Sequence, residues 1–492
     1  MKCGLSIAAG VIHLACIAQQ PFSLDTSFHA AIDPDWYVSS VLPVDQGRLL
    51  VSGWMTFPGV NGPQLLARLN QDGSLDPAFP VDQVGQGKLT AWEDRVYVGR
   101  TQIVSRITHE GQLDPTWAEM NTTPYFLSLQ GGDYHVYPDG RLLMSGVHQV
   151  EYPDSNWVGF YNLIWFTADG YLDTTRAPRM GDGVIYEIEP MSDGSFMCTG
   201  PMTVYEGEAV PTIFRVDAAG RYDPSFQPAM TWGEVYTFTE LEDGRILASG
   251  FFRTSINTID TTQFVRFMPN GALDPTFNND LVVYSNEYHR FVSPRHKRLP
   301  DGRILLLGDY DSVDGQPRSG IALLSADGEL LNTAFANGGC GLYQYQGLSY
   351  NGTLGATLSG DSLIYIHGAY HGYTDGTTSD PQQRFVTRLY GPDIGMGTNQ
   401  PAWELAPTAT LRLAPNPSTN WMSIDHVLPG TDEEGRLVVR DIMGRVVYTT
   451  LLTTHAGQHV WDTRRTTAGT YSVELLDASG GTVLVERAVV QP

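Results

Sequence analysis

The chain has 492 residues, of which 42% are hydrophobic and 17% charged, and its formal net charge is -24. A surface this acidic repels nucleic acid and anionic lipid, so the composition argues against nucleic acid as a partner. Glycine and tyrosine are abundant, at 52 and 24 residues. No long stretch carries the 3.6-residue apolar period of helices, and these features predict an all-β protein with many turns.

Residues 1–18 have the three parts of a secretory signal peptide, namely a basic start, an apolar run and small residues before a cleavage site. We predict cleavage between Ala18 and Gln19. The alternative is a lipoprotein signal acylated on Cys16, but His13 stands where that signal needs a small residue or leucine. No other segment approaches the ~20 apolar residues of a transmembrane helix, so we expect no transmembrane segment.

Two cysteines remain after cleavage, Cys198 and Cys340, and they fall in different repeats of the chain. These repeats are two units apart in the sequence, and structural units that are not adjacent would hold the two cysteines too far apart to form a disulfide. We therefore expect both to be packed or unpaired.

Residues 19–393 contain a turn of the type Asp-Gly-x-Leu-Asp-Pro-x-Phe, intact or degraded, seven times. The copies are Phe22–Phe28, Gly73–Phe79, Gly111–Trp117, Gly170–Arg176, Gly220–Phe226, Gly271–Phe277 and Gly328–Phe335. A period of roughly 40 to 60 residues points to a propeller or a solenoid.

Two further landmarks recur with the turn. A polar turn precedes an apolar strand that ends on glycine at Gly47–Gly53, Asp94–Gly99, Asp139–Gly146, Asp193–Gly200, Asp243–Gly250, Asp301–Gly308 and Gly360–Gly368. A second strand comes just before each Leu-Asp turn at Leu65–Asn70, Ile103–Thr108, Asn162–Thr167, Thr212–Asp217, Phe264–Pro269, Ile321–Ala326 and Phe385–Tyr390. Each unit then supplies about four short strands, which predicts a seven-bladed β-propeller.

The phase of the repeats predicts how the ring closes. The last unit ends near Asp393 without its own Leu-Asp turn, while the chain begins with an orphan copy at Phe22–Phe28. We expect this N-terminal segment to complete the last blade and to remove a free sheet edge.

The unit D-G-R-I-L-x-x-G followed by A-R-L-N-x-D-G-S-L-D-P-x-F resembles the delta-60 repeat, a bacterial β-propeller repeat of unknown biochemical role. The resemblance covers most of the chain. The unit with its central strand at Asp94–Gly99 is the weakest copy, so its limits near Val81–Arg100 stay open.

Motifs that carry chemistry are scarce, and we predict no catalytic residue and no cofactor. Asp309, Asp311 and Asp314 form a weak calcium candidate that lacks the EF-hand register and is better explained as a repeat turn. His367 and His371 are interpreted as loop histidines. The basic run Arg295–Arg298 is interpreted as a solvated loop. Most other aspartates are read as turn formers.

The tail changes in composition after residue 393. Residues 394–410 read as a linker, and residues 411–492 alternate apolar and polar positions in short runs, which predicts a small Ig-like β-sandwich. This segment resembles the type A C-terminal sorting domain of the type IX secretion system of Bacteroidetes. The resemblance is carried by six residues in three turns: Asn416, Pro417, Gly444, Arg445, Gly469 and Tyr471.

The resemblance implies export to the periplasm, passage through the type IX machinery, and release or attachment at the outer-membrane surface. Two functions follow from the sequence. The first is a non-enzymatic, monomeric surface or secreted module that binds a glycan or protein through the insertions Glu151–Asn162, Val204–Val210 and Ala369–Gln383. The alternative is an extracellular glycan-active hydrolase or lyase that uses carboxylates of the propeller channel.

Overall fold

A computed structural model describes residues 20–80, 84–100, 102–118, 120, 126–152, 157–255, 257, 261–287, 289, 292–360, 362–392, 410–428, 435–441, 445–454, 456–464, 466–477 and 482–491. The proposed cleavage site at Ala18 and Gln19 lies outside these residues. The chain divides into two compact units, Met1–Thr398 and Asn399–Pro492.

The first unit is built from antiparallel sheets that contain the repeat landmarks. Sheets 1 to 3 consist of β1 (Tyr37–Pro43), β2 (Leu49–Met55) and β3 (Gln64–Leu69), then β4 (Leu89–Trp92), β5 (Arg95–Gly99) and β6 (Val104–Thr108), then β7 (Phe126–Val136), β8 (Leu142–Tyr152) and β9 (Trp157–Phe166). A short 3-10 turn, Asp45–Gly47, joins β1 to β2.

Sheets 4 and 5 follow, with a short hairpin inserted into sheet 4. The strands are β10 (Glu187–Pro190), β11 (Phe196–Thr199), the hairpin β12 (Val204–Tyr205) and β13 (Glu208–Ala209), β14 (Ile213–Val216) and β15 (Tyr222–Asp223), then β16 (Trp232–Glu240), β17 (Ile246–Arg253) and β18 (Thr262–Phe267).

Sheets 6 and 7 carry more insertions. The strands are β19 (Val283–Tyr284), β20 (Arg295–Arg298), β21 (Ile304–Leu307), β22 (Ser312–Val313), β23 (Gln316–Pro317), β24 (Ile321–Leu324), β25 (Leu330–Leu331), β26 (Gly339–Cys340), β27 (Tyr343–Tyr345), β28 (Leu348–Tyr350), β29 (Gly352–Ser359), β30 (Leu363–Thr374) and β31 (Ser379–Tyr390). Sheet 6 has the order β20-β21-β24-β25, and sheet 7 places β30 between β29 and β31.

The second strand of each sheet is the apolar landmark that ends on glycine. In β21 all four residues, Ile304–Leu307, are buried. A strand that is apolar on both faces needs cover on both faces, and packing of neighbouring sheets supplies it. The predicted fourth strand is shorter than expected: in sheets 1, 2, 3 and 5 the leucine of the Leu-Asp turn makes a single bridge, as in Leu69 with Leu75.

Hydrogen bonds join each sheet to the next around a closed ring. Examples are Leu89 N to Ser40 Oγ (3.1 Å), Trp92 Nε1 to Pro138 O (3.1 Å) and Gln130 Nε2 to Tyr186 OH (3.4 Å). Others are Val235 N to Thr199 Oγ1 (3.2 Å), His296 to Ser249 Oγ (2.7 Å) and Gly308 N to Thr353 Oγ1 (2.8 Å). Thr357 Oγ1 donates to Val41 O at 3.2 Å and so links sheet 7 back to sheet 1.

The orphan N-terminal copy pairs with the last strand, as predicted. Leu24 bridges Leu389 in antiparallel fashion. Phe22 N donates to Tyr390 O at 2.8 Å, and Asp25 N donates to Arg388 O at 3.0 Å. Residues from the two ends of the propeller sequence therefore share one sheet.

An arginine and aspartate pair, which we call the Arg–Asp clasp, explains the recurring Leu-Asp turn. In five sheets a third-strand arginine donates to the turn aspartate at 2.7 or 2.8 Å, in the pairs Arg68–Asp76, Arg106–Asp114, Arg215–Asp223, Arg266–Asp274 and Arg388–Asp25. The aromatic residue that ends the motif packs over the guanidinium in four of them, with the ring centroid of Phe79, Trp117, Phe277 or Phe28 at 4.7–4.9 Å.

The same arginines reach the neighbouring sheet. In the next sheet, the turn that follows the third strand offers a backbone oxygen to each arginine. Arg68, Arg106 and Arg266 donate to it from Nη1 at 3.1, 2.6 and 2.9 Å. Arg388 of sheet 7 does this to Gln71 O of sheet 1 at 2.8 Å. The clasp thus ties strand, turn and adjacent sheet together, including across the seam of the ring.

In sheet 3 the cation–π contact is kept, but the arginine and the aromatic residue have exchanged positions. Its third strand has Trp165 where the arginine stands elsewhere, and the motif ends on Arg176 instead of an aromatic residue. The Arg176 guanidinium lies 5.8 Å from the Trp165 ring, and its Nε lies 3.9 Å from Asp173. The degraded copy therefore preserves a cation–π pair.

The two remaining cysteines are unpaired and buried, as the sequence predicted. Burial raises the pKa of both thiols, Cys198 and Cys340. Their thiolates are disfavoured, which makes them packing residues rather than nucleophiles.

The second unit consists of two antiparallel sheets over one core. Its strands are β32 (Thr410–Ala414), β33 (Trp421–Val427), β34 (Gly435–Asp441), β35 (Val446–Leu452), β36 (Ala456–Asp462), β37 (Gly469–Asp477) and β38 (Thr482–Val490). One sheet has the order β32-β33-β36 and the other β35-β34-β37-β38. Met422, Ile424, Val439, Trp461 and Val473 lie in the shared core.

Candidate functional site

The two ends of the propeller ring differ in what they carry. Clasp arginines contact the turn after the third strand of the neighbouring sheet, and in an antiparallel sheet the turn after the first strand lies at the same end as the turn after the third. These turns therefore share one end of the ring, which we call the turn face. These are tight turns such as Asp243-Gly244, where Gly244 N donates to Leu241 O at 2.9 Å with a φ of 79°. Glycine accepts this positive φ without strain, which explains its recurrence.

The opposite end, the insertion face, receives every connection between second and third strands and every connection between sheets. The short hairpins β12–β13, β22–β23 and β27–β28 all lie there. The long strand pairs β8–β9 and β30–β31 also extend toward it. The sequence prediction of binding loops is corrected in part. Most described residues of Glu151–Asn162 and Ala369–Gln383 lie in strands that extend sheets 3 and 7, whereas Val204–Val210 contains the separate hairpin β12–β13.

The axis of the ring contains a polar cavity of about 390 Å³, the axial cavity. Its lining comes from the inner strands of five sheets and from Lys88, which precedes β4: Ser39, Asp133, Glu187, Glu189, Tyr236 and Arg295 are among the contributors. Lys88 Nζ donates to both oxygens of Asp133, at 3.0 and 3.1 Å.

The carboxyl groups of two glutamates in the axial cavity have no ion-pair or hydrogen-bond partner among the residues that the structure describes. Glu187 and Glu189 alternate along β10, so they point to the same side of the strand. Burial, reinforced by the charge of Asp133, raises the pKa of Glu187 to about 8. Burial also raises the pKa of Glu189 to about 7, against the attraction of Lys88. Near neutral pH this cavity holds carboxyls that can carry a proton.

The basic run Arg295–Arg298 is the inner strand β20, and the prediction of a solvated loop is wrong. The run alternates, with His296 buried and Arg295 lining the axial cavity. His296 bonds to Ser249 Oγ at 2.7 Å and to Thr239 Oγ1 at 3.0 Å, and burial lowers its pKa to about 3. Arg295 lies over the Tyr236 ring at 4.9 Å. A strand facing a polar axis has no apolar pattern, which is why the sequence suggested a loop.

The histidines His367 and His371 are strand residues of β30, so the loop interpretation is also wrong. His367 is buried, and its Nε2 lies 3.0 Å from Ser39 O of sheet 1. His371 packs against Tyr343, with ring centroids 4.5 Å apart. Neither belongs to a cluster of metal ligands in the described part of the chain.

The calcium candidates have separate hydrogen-bonding roles. Asp311 Oδ2 accepts from Asn286 N at 2.6 Å, and Asp314 Oδ1 accepts from Val282 N at 2.8 Å. Asp309 accepts from Asn351 N at 3.3 Å, and its pKa is raised to about 6, chiefly by burial. Across the described residues, no three His, Cys, Asp or Glu side chains are grouped so that they could hold a metal ion.

Four aromatic residues, which we call the aromatic cluster, lie on the insertion face where sheet 7 meets sheet 1. Trp36 precedes β1, Trp54 lies in β2, and Tyr343 and Tyr345 lie in β27. The Trp36 ring centroid is 5.2 Å from that of Trp54 and 5.4 Å from that of Tyr345. Sequence reasoning did not single out these residues, because they fall outside the repeat landmarks.

In the second unit, several sorting-motif residues hold the strand ends together. Asn416 Nδ2 donates to Arg487 O at 2.7 Å, and its Oδ1 accepts from Val489 N at 2.9 Å. Arg445 pairs with Asp441 at 2.7 Å. Gly469 begins β37, and Tyr471 packs on Trp461 with centroids 5.4 Å apart. Pro417 directly follows Asn416, and Gly444 lies outside the described residues.

Comparisons with known proteins agree with this architecture. A family model described as a domain of unknown function (DUF5122) beta-propeller matches residues 47–79, 241–277 and 299–330. A model described as a secretion system C-terminal sorting domain matches residues 412–491. No curated protein matches the sequence.

Several solved structures are similar over much of the chain. PorZ of Porphyromonas gingivalis, described as a surface component of the type IX secretion system, is 14% identical, with 93% of this chain and 70% of PorZ covered and a TM-score of 0.32. A Bacteroides caccae protein of unknown function is 12% identical, with 58% and 92% covered and a TM-score of 0.32. Hsv2 of Kluyveromyces lactis is 10% identical, with 69% and 93% covered and a TM-score of 0.29.

The matched segments comprise three parts of the first unit and nearly the whole strand region of the second. Within the described residues, no helix has the length and apolar character needed to cross a membrane. The chain is a β-propeller protein with a C-terminal sorting domain of the type IX secretion system, which directs it to the cell exterior or the outer-membrane surface.

Proposed function

We propose that this exported propeller is a non-enzymatic, monomeric module that binds a glycan or protein ligand on its insertion face. The observation that carries the proposal is the difference between the two ends of the ring. Repeat-encoded tight turns occupy the turn face, whereas the hairpins that differ from sheet to sheet, such as β12–β13 and β27–β28, occupy the insertion face. Binding residues are characteristically placed on variable segments held by a rigid scaffold.

Arrays of glycans and of surface proteins test this proposal on the full chain. We expect a ligand whose binding is lost when the hairpin Val204–Ala209 or Tyr343–Tyr350 is replaced by a short glycine turn. Asp243→Asn in a tight turn of the turn face is the matched control and should bind normally, because asparagine also suits the turn. Binding that survives both hairpin replacements but is lost in the control would contradict the proposal.

A second function is favoured by the axial cavity. Glu187 and Glu189 have raised pKa values of about 8 and 7 and lack partners among the described residues. Strand geometry places the Cα atoms of alternate residues roughly 6.6 Å apart, a spacing comparable to that between the carboxyl groups of inverting glycosidases. A protonated carboxyl beside an ionised one can serve as general acid and general base.

Turnover on a panel of polysaccharides at pH 6 to 8 tests this alternative. An enzyme that uses these carboxyls should lose activity in both Glu187→Gln and Glu189→Gln while still binding substrate. Turnover that persists in both variants would contradict a catalytic role for the axial cavity.

A further inference from the structure

We propose that the insertion face over sheets 6, 7 and 1 contains a binding site for neutral oligosaccharides. In this site the aromatic cluster packs on sugar rings, and a neighbouring cavity receives further sugar hydroxyls. The inference rests on the proposed function, since it names the ligand class and the place where that ligand binds.

The backbone of the aromatic cluster has an unfavourable conformation at Trp36, which a hydrogen bond to Tyr343 stabilises. Trp36 has a φ of 86°, a conformation uncommon for a bulky side chain. The backbone N–H of Trp36 donates to the Tyr343 hydroxyl at 2.9 Å. Strained backbone that is fixed by neighbouring groups is characteristic of binding and catalytic sites.

The hairpin β27–β28 supplies the rest of the cluster. Its two-residue turn, Gln346-Gly347, has positive φ values of 50° and 86°, as tight hairpins require. Tyr343 and Tyr345 stack with centroids 6.0 Å apart at an angle of 25°. Trp36, Trp54 and Tyr345 are all partly exposed, so ring surface remains available to a ligand. Rigid aromatic side chains with a polar edge suit amphipathic ligands such as sugars.

Beside the cluster lies a cavity of about 670 Å³, the side cavity, between sheets 6 and 7. Ser319, Gly339, Gly341 and Gly372 contribute a wall of small residues. A cavity of this size falls in the range of ligand-binding pockets.

The side cavity is lined by polar side chains that have atoms without partners. Arg318 and Tyr373 are buried, at 3% and 2% exposure. Arg318 Nε, Tyr373 OH and His371 Nε2 make no hydrogen bond within the described residues. Buried polar atoms are nearly always hydrogen-bonded, so these three side chains keep hydrogen-bonding capacity beside the side cavity that sugar hydroxyls can use.

His371 joins the two parts of the site. It lines the side cavity, and its ring lies 4.5 Å from Tyr343 of the aromatic cluster. A single extended ligand can therefore contact both the rings and the polar groups. An oligosaccharide has this combination of flat apolar faces and hydroxyls.

Charge favours a neutral sugar over an acidic one. Burial and, to a smaller extent, the charge of the nearby Asp35 raise the pKa of the Tyr343 hydroxyl, so a carboxylate lies beside the aromatic cluster. Its negative charge repels an acidic sugar. Asp311 also lines the side cavity, where it offsets the charge of Arg318. The chain as a whole carries a formal charge of -24, which repels uronates and sialylated sugars.

The test is binding of the full chain to an array of neutral oligosaccharides (glucans, mannans and xylans) together with uronate and sialylated oligosaccharides. We expect neutral sugars to bind, and Trp36→Ala and Trp54→Ala to weaken binding at least about tenfold. Tyr373→Phe removes only an unsatisfied hydroxyl, so it should leave the melting temperature unchanged or higher while weakening binding about threefold or more. Trp232→Ala replaces a partly exposed tryptophan at the start of β16 in sheet 5, outside the proposed site, so it is the matched control and should bind normally.

The outcomes separate this site from the broader proposal. Neutral-sugar binding that is unaffected by Trp36→Ala, Trp54→Ala and Tyr373→Phe overturns the site but leaves a binding function on the insertion face. Binding of acidic sugars only, or of a protein only, overturns the ligand class. Failure to bind any glycan or protein in the arrays overturns both proposals.

Discussion

Removing the arginine of the closing clasp should open the propeller at its seam. Arg388 and Asp25 are 6% and 5% exposed and lie 2.7 Å apart. Arg388 also donates to Gln71 O at 2.8 Å and to Ser27 Oγ at 2.9 Å, and it lies 4.9 Å from the Phe28 ring. Arg388→Ala removes all four contacts and leaves a buried carboxylate without its counter-charge. Breaking a buried ion pair in this way costs roughly 3–5 kcal/mol of stability.

Urea unfolding of the purified chain measures this loss of stability. Two further variants provide the values with which it is compared. Arg221→Ala removes an ion pair to Asp217 in which the arginine is 70% exposed, so it should change the free energy of unfolding by less than about 1 kcal/mol. Arg266→Ala breaks an internal clasp to Asp274 at 2.7 Å, but Asp274 keeps Arg245 at 2.7 Å as a counter-charge, so the loss should be smaller than in Arg388→Ala. Only Arg388→Ala should also expose the N-terminal segment to chymotrypsin at Phe22 and Phe28.

A loss below about 1 kcal/mol in Arg388→Ala, equal to that of the exposed control, would refute the clasp as a stabilising element. A large loss without new cleavage at Phe22 or Phe28 would show instead that the pair is local and does not hold the seam. A double-mutant cycle with Asp25→Ala separates the pairwise interaction from the loss of the Ser27 hydrogen bonds to the carboxylate.

Four further predictions concern the remaining parts of the molecule. Deleting residues 20–30 should lower the melting temperature far more than trimming an ordinary tail, because Leu24 pairs with Leu389; an unchanged melting temperature would exclude closure by this segment. Despite burial, hydrogen bonds from Thr116 and Arg106 lower the pKa of Asp114 to about 2, so its stabilisation is present above about pH 4 and lost as pH falls toward 2; Asp114→Asn should be less stable at pH 7 and show a flatter stability profile between pH 4 and 2. The raised pKa of Glu187, about 8, means that stability falls as pH rises from about 4.5 to 8; Glu187→Gln should reduce this fall in melting temperature, and an identical profile would contradict the burial of this carboxyl. Deleting residues 411–492 should retain the propeller in the periplasm, and its display at the cell surface would refute a sorting role for the tail.

The repeat landmarks allowed the strands to be predicted because each lies where sheet packs on sheet. The runs Ile304–Leu307 and Ile321–Leu324 are apolar on both faces, and their turns carry glycine at positions of positive φ. The inner strands could not be found in this way. Strands such as Glu187–Pro190 and Arg295–Arg298 face a polar axis, so neither alternation nor an apolar run marks them as strands.

The Arg–Asp clasp was missed although its signal is visible in the sequence. Arginine stands at the same position in five of the seven third-strand landmarks, for example in A-R-L-N and T-R-L-Y. Sequence reasoning assigned the aspartates to turns, and they do cap those turns, as in the bond from Thr276 N to Asp274 at 2.9 Å. The arginine partner lies in another strand, and in the seam clasp it is 363 residues away. Pairing across such distances requires knowledge of the sheet order.

The clasp also limits where ligand chemistry can come from. A clasp aspartate is committed to an arginine and to its own turn, so the most repeated carboxylates of the chain are not available to a ligand or substrate. The polar and aromatic groups proposed above for ligand chemistry do not recur from sheet to sheet; Trp36, Arg318, His371, Tyr373 and Glu187 are examples. All of them lie in inner strands or in segments on the insertion face, where the repeat imposes no residue. In a repeat propeller of this kind, function should therefore be sought in what differs between blades, because what they share is already used to hold the ring together.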